Sequence, residues 1–209
     1  GRLKLRGLLD SLCTYACCRL NGFGGREVAE LTAAAAKLGY RDQIFFDAVT
    51  LFCQDKWMAF RCLRDVSLIA VALMRRSIES RGPFPGLTVA FGGLCRAAAP
   101  LLGQSANSRD LAEFLYSLGH VLDCCSQGHE PLHEEPVVAK LLAAAVASVR
   151  SDLHRASAHD IAKVVGAMAS AWMLIPSVRE LLLRPCLADA AQAIRFRIDM
   201  FSVTDISLT

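Results

Sequence analysis

Strand-like alternation, paired cysteines and long uninterrupted apolar runs are all missing from this sequence, and each absence removes a class of protein. No window of strand length alternates with period two, so an all-α chain is expected. The nine cysteines are odd in number and scattered, and no Cys-x-x-Cys occurs. Several sit in apolar segments, as in Leu51-Phe52-Cys53 and Leu94-Cys95, which is the habit of buried free thiols in a reducing compartment. A disulfide framework is therefore excluded. The longest apolar stretch, Val137 to Val149, is interrupted by Lys140 and falls short of the roughly 20 residues that span a bilayer. No membrane insertion is expected, and no signal or transit peptide is visible.

Chemistry is also sparsely represented. No Gly-x-Ser-x-Gly elbow and no phosphate-loop or kinase signature occurs, and Gly22-x-Gly24-Gly25 has no strand before it. No cysteine–histidine pair has an obvious orienting partner. A non-enzyme without a cofactor is the expectation. Net charge is only +3, so bulk charge does not by itself point to nucleic acid. Aromatic residues are 7% of the chain, with two Trp and three Tyr, which leaves few stacking platforms.

What is present is apolar material and recurrence. A hydrophobic fraction of 54% with ten Phe argues against disorder. Five times an acid is followed by an aliphatic and then a small residue: Glu27-Val28-Ala29, Asp65-Val66-Ser67, Asp110-Leu111-Ala112, Asp160-Ile161-Ala162 and Asp205-Ile206-Ser207. The acids lie 38, 45, 50 and 45 residues apart. A period near 40 marks stacked helical repeats, in which each unit buries its apolar face only against its neighbours. The expected fold is an α-α superhelix (solenoid) of about four helical-hairpin repeats, forming a single array over residues 1–209. The units span approximately 25–61, 62–106, 107–156 and 157–201, with partial repeats at both ends. Gly1 enters what reads as an unfinished unit and Thr209 stops just inside another, as expected of a stretch of a longer array.

Local signals fill in the units. Leu5 to Leu20 reads as a helix ended by Asn21-Gly22-Phe23-Gly24-Gly25. A helix from about Glu27 to Leu38 would place Val28, Leu31, Ala35 and Leu38 on one face, with Gly39 as its left-handed C-cap. Asp42 would start the next helix, carrying Ile44, Phe45, Ala48, Leu51 and Phe52 inward. Asp65 to Ile78 and Leu87 to Leu102 form the second pair; Asp110 to Cys124 and Val137 to Val149 form the third. Asp160 to Met173 is followed by a helix opened at Pro176, which Pro185 breaks or kinks. The recurring acid has a plain role. Ser157-x-x-Asp160 and Ser202-x-x-Asp205 are capping boxes, and Asn107-x-x-Asp110 is a close variant.

Aligned on those acids, the units expose a column directly before them: Arg26, Arg64, Arg109 and His159. Eleven residues later comes a second: Lys37, Arg75, His120 and Ser170. Eleven residues is almost three helical turns, so both columns lie on nearly the same side of the first helix of each hairpin. Stacked, they would form two ladders of positive charge suited to the backbone of single-stranded RNA. The cations comprise 18 Arg and 5 Lys, and arginine's planar fork suits phosphate. A GC-rich coding bias would enrich arginine as well, and a merely solvated charged face is the competing explanation. Glu30 and Glu113 lie between the ladders and dilute them. Tyr116 is the best-placed platform for a base, whereas Trp57 and Trp172 read as core. His120, Cys124, Cys125, His129 and His133 resemble a zinc set but match no strong zinc spacing, so no metal is assigned. Cys13, Cys17 and Cys18 read as core.

The units resemble the degenerate paired-helix repeats of organellar RNA-binding proteins: the octotricopeptide, heptatricopeptide and FAST-kinase-like RAP-domain families. The resemblance is carried by Glu27-Val28-Ala29 running into Ala33-Ala34-Ala35-Ala36-Lys37-Leu38-Gly39-Tyr40-Arg41-Asp42. Asp110-Leu111-Ala112 through Leu118-Gly119 and Asp160 to Ser170 also match. It implies a mitochondrial protein, or alternatively a plastid one, that binds RNA without catalysis. Such proteins sometimes belong to an organellar ribosome, touching ribosomal RNA and neighbouring proteins. The alternative is a protein–protein scaffold subunit of a large complex with no direct RNA contact.

Overall fold

The computed structural model describes residues 2–102, 107–127, 135–152, 156–179, 184–196 and 198–202. Among these the chain is all-α, without a strand. The helices are α1 (Arg2–Cys17), α2 (Gly25–Lys37), α3 (Gln43–Asp55), α4 (Leu63–Glu79) and α5 (Leu87–Ala98). They continue with α6 (Ser108–Ser126), α7 (Glu135–Asp152), α8 (Ala158–Leu174), α9 (Pro176–Val178) and α10 (Arg184–Phe196).

The recurring acids Glu27, Asp65, Asp110 and Asp160 each occupy the third position of α2, α4, α6 and α8. That is where a carboxylate completes a capping box and meets the positive end of the helix dipole. Ser157 completes its box: its Oγ accepts from Asp160 N at 3.1 Å and donates to the Asp160 carboxylate at 2.7 Å. Asn107 Oδ1 accepts from Arg109 N at 3.1 Å, and Asp42 caps α3 by accepting from Phe45 N at 3.0 Å. Caps of this kind contribute about 1 kcal/mol each. Gly24 and Cys62, which precede α2 and α4, make no side-chain cap hydrogen bond, so there the acid serves the dipole, with the Cys62 thiol against the Asp65 carboxylate. Asp205 lies outside the described residues. Gly39 closes α2 at φ 71°, with Tyr40 N donating to Ala35 O at 2.9 Å, a Schellman-type ending.

Alternate helices pack on one another. One row runs α2 on α4, α4 on α6 and α6 on α8; the other runs α1 on α3, α3 on α5 and α5 on α7. In the first row the helices are parallel and in register. Starts face starts, with Arg26 acting on Asp65 and Arg64 on Asp110, and ends face ends, with Arg41 paired to Glu79. Glu113 meets Lys163 and Gly119 meets Ala167 in the same sense. The second row is centred on α5, which is buried at every position except Val89 and Arg96. A helix apolar all round belongs inside, and α5 touches α3, α4, α6 and α7. Two glycines permit the closest approaches. A Cβ on Gly93 would fall within 2.1 Å of the Cys53 carbonyl oxygen, and one on Gly119 within 2.8 Å of Ala167 Cα. Buried hydroxyls in both rows are satisfied by the preceding turn, as in Thr32 to Val28 O (2.7 Å) and Thr50 to Phe46 O (2.9 Å).

Several sequence expectations differ in detail. Leu38 (53% exposed), Ile44 (72%) and Leu51 (57%) face solvent and not the core. The apolar sector of α3 is wider than the surface its neighbours cover, and Phe45, Phe46, Val49, Phe52 and Cys53 fill the covered part. The helix expected to reach Leu102 ends at Ala98 and continues as a 3-10 turn, Ala99–Leu101. Pro176 opens α9, and Pro185 is the second described residue of α10; residues 180–183 between them lie outside the described residues. Trp57 and Trp172 pack against the core as half-buried residues. No helix among the described residues is long and apolar enough to cross a membrane.

Candidate nucleic-acid interface

Because α2, α4, α6 and α8 are parallel, their second positions meet at one end of the row. Arg26, Arg64, Arg109 and His159 are all exposed there. They are interleaved with acids. Arg26 Nε lies 2.9 Å from Glu30 Oε1, an exposed i,i+4 pair that holds the guanidinium pKa up and contributes little stability. Asp65 of the next unit also acts on Arg26. Burial raises the Asp110 pKa, and Arg64 of the preceding unit and its own neighbour Arg109 partly offset that rise. Arg26 and Arg64 thus each face the acid at the start of the next helix in the row.

The second column is only partly a ladder. Lys37 and Arg75 are exposed, and neither has an ion pair among the described residues. Each is the thirteenth residue of its helix, so the parallel register of α2 and α4 sets the two cations at the same level of adjacent helices. His120 is not a free cation on this face. Its ring packs between α4 and α6, with Nε2 3.1 Å from Ser77 Oγ and 3.8 Å from Cys124 Sγ. Burial lowers its pKa, which Asp123 partly counters, so the imidazole is neutral near pH 7. Ser170 is half-buried and donates to Gly166 O at 3.2 Å.

Two features escaped the sequence reading. The first is an ion pair between Lys163 and Glu113, 2.5 Å apart, which fastens α8 to α6. The Lys163 side chain is 8% exposed, and its ammonium lies 5.9 Å from the Tyr116 ring centre. Tyr116 is thereby a half-buried partner of Lys163 and less open as a base platform than expected. The signal was present: Glu113 and Lys163 each follow the recurring acid by three residues, so in-register packing of α6 on α8 brings them together. The second is Arg76, which turns inward over the Phe46 ring at 5.6 Å and donates to Arg41 O at 3.4 Å, bracing the end of α4 against the start of α3.

All nine cysteines are free. Cys13, Cys53, Cys95, Cys124 and Cys186 are buried, Cys17 and Cys125 are half-buried, and Cys18 and Cys62 are exposed. Burial pushes the Cys13 thiol up to about 11, the opposite of an activated nucleophile. Among the described residues no three His, Cys, Asp or Glu side chains gather as a metal site; His129 and His133 lie outside them. An apolar hollow between α6, α7 and α8, lined by Leu111, Val149 and Ile161 with Asp160 at its rim, has about 20 Å³ of free space. That is room for about one water, too little for a ligand.

No family model, curated protein or solved structure matches the chain.

Proposed function

We propose that the chain is an α-α superhelical array of about four hairpin units that binds single-stranded RNA without catalysis. The observation that carries this is the parallel, in-register packing of α2, α4 and α6, which turns once-per-unit positions into adjacent ones. Lys37 and Arg75 illustrate it: two neighbouring exposed cations without an ion pair among the described residues, on the face where a strand crossing the helices would run. A phosphate backbone tracked by such cations needs no cleft and no catalytic group. The resemblance to octotricopeptide, heptatricopeptide and FAST-kinase-like repeats supports an organellar setting, mitochondrial with plastid as the alternative. It also supports a place in a large ribonucleoprotein such as the mitochondrial ribosome, with ribosomal RNA and neighbouring proteins as partners.

A protein–protein scaffold is the second reading, favoured by exposed apolar side chains: Leu8, Leu12 and Tyr15 on α1, and Ile44 and Leu51 on α3. Ultraviolet crosslinking of the tagged protein in cells, with sequencing of the attached RNA, separates the two. Dense reads from one region of an organellar ribosomal RNA are expected. Background reads, with protein partners that survive nuclease, would sink the RNA reading in favour of the scaffold.

A further inference from the structure

We infer that the RNA backbone is held at the C-terminal end of the α2–α4 pair, by Lys37, Arg75 and Arg81 with Arg41 beside them, and not by the arginines at the helix starts. This rests on the RNA reading above. It follows from comparing the charge at the two ends of the same row.

At the starts of α2, α4, α6 and α8 stand Arg26, Arg64 and Arg109, with Arg61 just ahead of α4. Against them stand five carboxylates: Glu27, Asp65, Asp110 and Asp160 at the third positions, and Glu30 bound to Arg26. Four helix N-termini add about +0.5 each, which leaves this end at roughly +1 spread over four helices. The acids are also fixed where they are. Asp160 is tied into its capping box, and Asp65 is buried, so neither can turn away from an approaching anion.

The ends of α2 and α4 differ. Lys37, Arg41, Arg75, Arg76 and Arg81 converge there, joined through the Arg41–Glu79 pair and the Arg76 hydrogen bond to Arg41 O. Asp42 and Glu79 oppose them, and Asp10 of α1 also acts on Tyr40 beside Arg41. Two helix C-termini subtract about one charge together, leaving roughly +1 to +2 over two helices. The remaining charges have separate occupations. Asp42 caps α3, Glu79 holds Arg41, and Arg76 is folded over Phe46. Lys37, Arg75 and Arg81 are exposed and have no ion pair among the described residues. Arg81 also adopts φ 60°, the one non-glycine residue in the left-handed region among the described residues. Its turn ends α4 and places a third cation just beyond Glu79. Leu38 and Ile78, each 53% exposed, lie among these cations and offer apolar surface on which a base can rest. Asp123 at the end of α6 bounds the patch on its far side.

The test uses the full chain and a fluorescein-labelled uridine oligonucleotide about 20 nucleotides long, with anisotropy followed across potassium chloride concentrations. Each lost phosphate contact removes about 0.7 from the slope of log affinity against log salt for a single strand. K37Q/R75Q/R81Q is expected to reduce the slope by about 2, whereas R26Q/R64Q/R109Q leaves it unchanged. The charge-preserving pair R75K/R81K should retain the wild-type slope. If the triple variant does not fold by circular dichroism, K37Q and R75Q singly should each remove about 0.7. Wild-type binding with equal slope losses in both triples, or a loss only in R26Q/R64Q/R109Q, overturns this inference and leaves the RNA reading standing. A wild-type chain with no salt-dependent binding removes both. In that event, binding of a fluorescent glutamate–leucine peptide that K37Q/R75Q/R81Q abolishes would assign the patch to an acidic protein partner.

Discussion

Replacing Gly93 by alanine gives the sharpest check on how the two helix rows meet. Helix propensity alone says that the change stabilises α5 by about 1 kcal/mol. The packing says otherwise. The new Cβ would stand 2.1 Å from Cys53 O and 2.7 Å from Cys53 C, both backbone atoms that no rotamer change can remove. Restoring an ordinary carbon–oxygen contact requires α3 and α5 to part by roughly 1 Å, which loosens the contacts of Phe45, Val49 and Phe91 along the seam. Overpacking of this kind costs about 1–3 kcal/mol, and the upper part of that range applies because backbone must move. The net effect is a loss of about 1–2 kcal/mol after the propensity gain, or a fall in Tm of roughly 2–8 °C for a chain of this size. Gly7 in α1 is the control, because a Cβ there meets nothing within 4 Å. Gly7→Ala should therefore stabilise by up to about 1 kcal/mol. Thermal and urea unfolding followed by helical circular dichroism would measure both. A Gly93→Ala protein as stable as Gly7→Ala would refute the close α3–α5 approach.

The Lys163–Glu113 pair should behave as a buried unit. K163M alone strands the Glu113 carboxylate and is expected to cost about 2–3 kcal/mol, below the 3–5 typical of full burial because the Glu113 side chain keeps 27% exposure. The double variant K163M/E113L should recover most of that loss in a double-mutant cycle by urea unfolding, and simple additivity would show that the pair does not couple α6 to α8. His120 should make stability fall on mild acidification. Its folded pKa lies below the ordinary 6.5, so the unfolded chain takes the proton first. The contribution is intact above about pH 6.5 and is lost as pH falls through the folded pKa. The urea midpoint should drop over that window in the wild type and stay flatter in H120N, and a wild-type midpoint that rises instead would reverse the assignment. Cysteine modification gives an independent view of burial. Cys18 should react readily with a thiol reagent at neutral pH and Cys62 more slowly, because burial and Asp65 raise its thiol pKa, while Cys13, Cys53 and Cys186 react only on unfolding; early labelling of Cys53 would contradict the α3–α5 seam.

Much of the fold was legible because helices advertise themselves locally. The acid tripeptides marked the third positions of α2, α4, α6 and α8, and Ser157, Asn107 and Asp42 formed the caps expected of their residue types. Such interactions span four residues, so they need no knowledge of the rest of the chain. Periodicity was less informative about which side of an apolar sector is covered, as Leu38, Ile44 and Leu51 show. A 3.6-residue repeat reports that a helix has an apolar side, whereas coverage depends on where the next helix lies.

The candidate interface divides along the same line. The recurrence of Arg26, Arg64 and Arg109, and of Lys37 and Arg75, is a property of the sequence, as is the all-α class. Which of those cations faces solvent without a counter-charge is a tertiary property. Parallel packing set Arg26 and Arg64 beside the next helix's acid, folded His120 against Ser77, and drew Arg41 and Arg81 to the end where Lys37 and Arg75 stand. The physical reason is range. Capping and helix periodicity act within one or two turns, while the field at a surface sums over charges brought together from positions 38 to 50 residues apart, and only the packed rows bring them there.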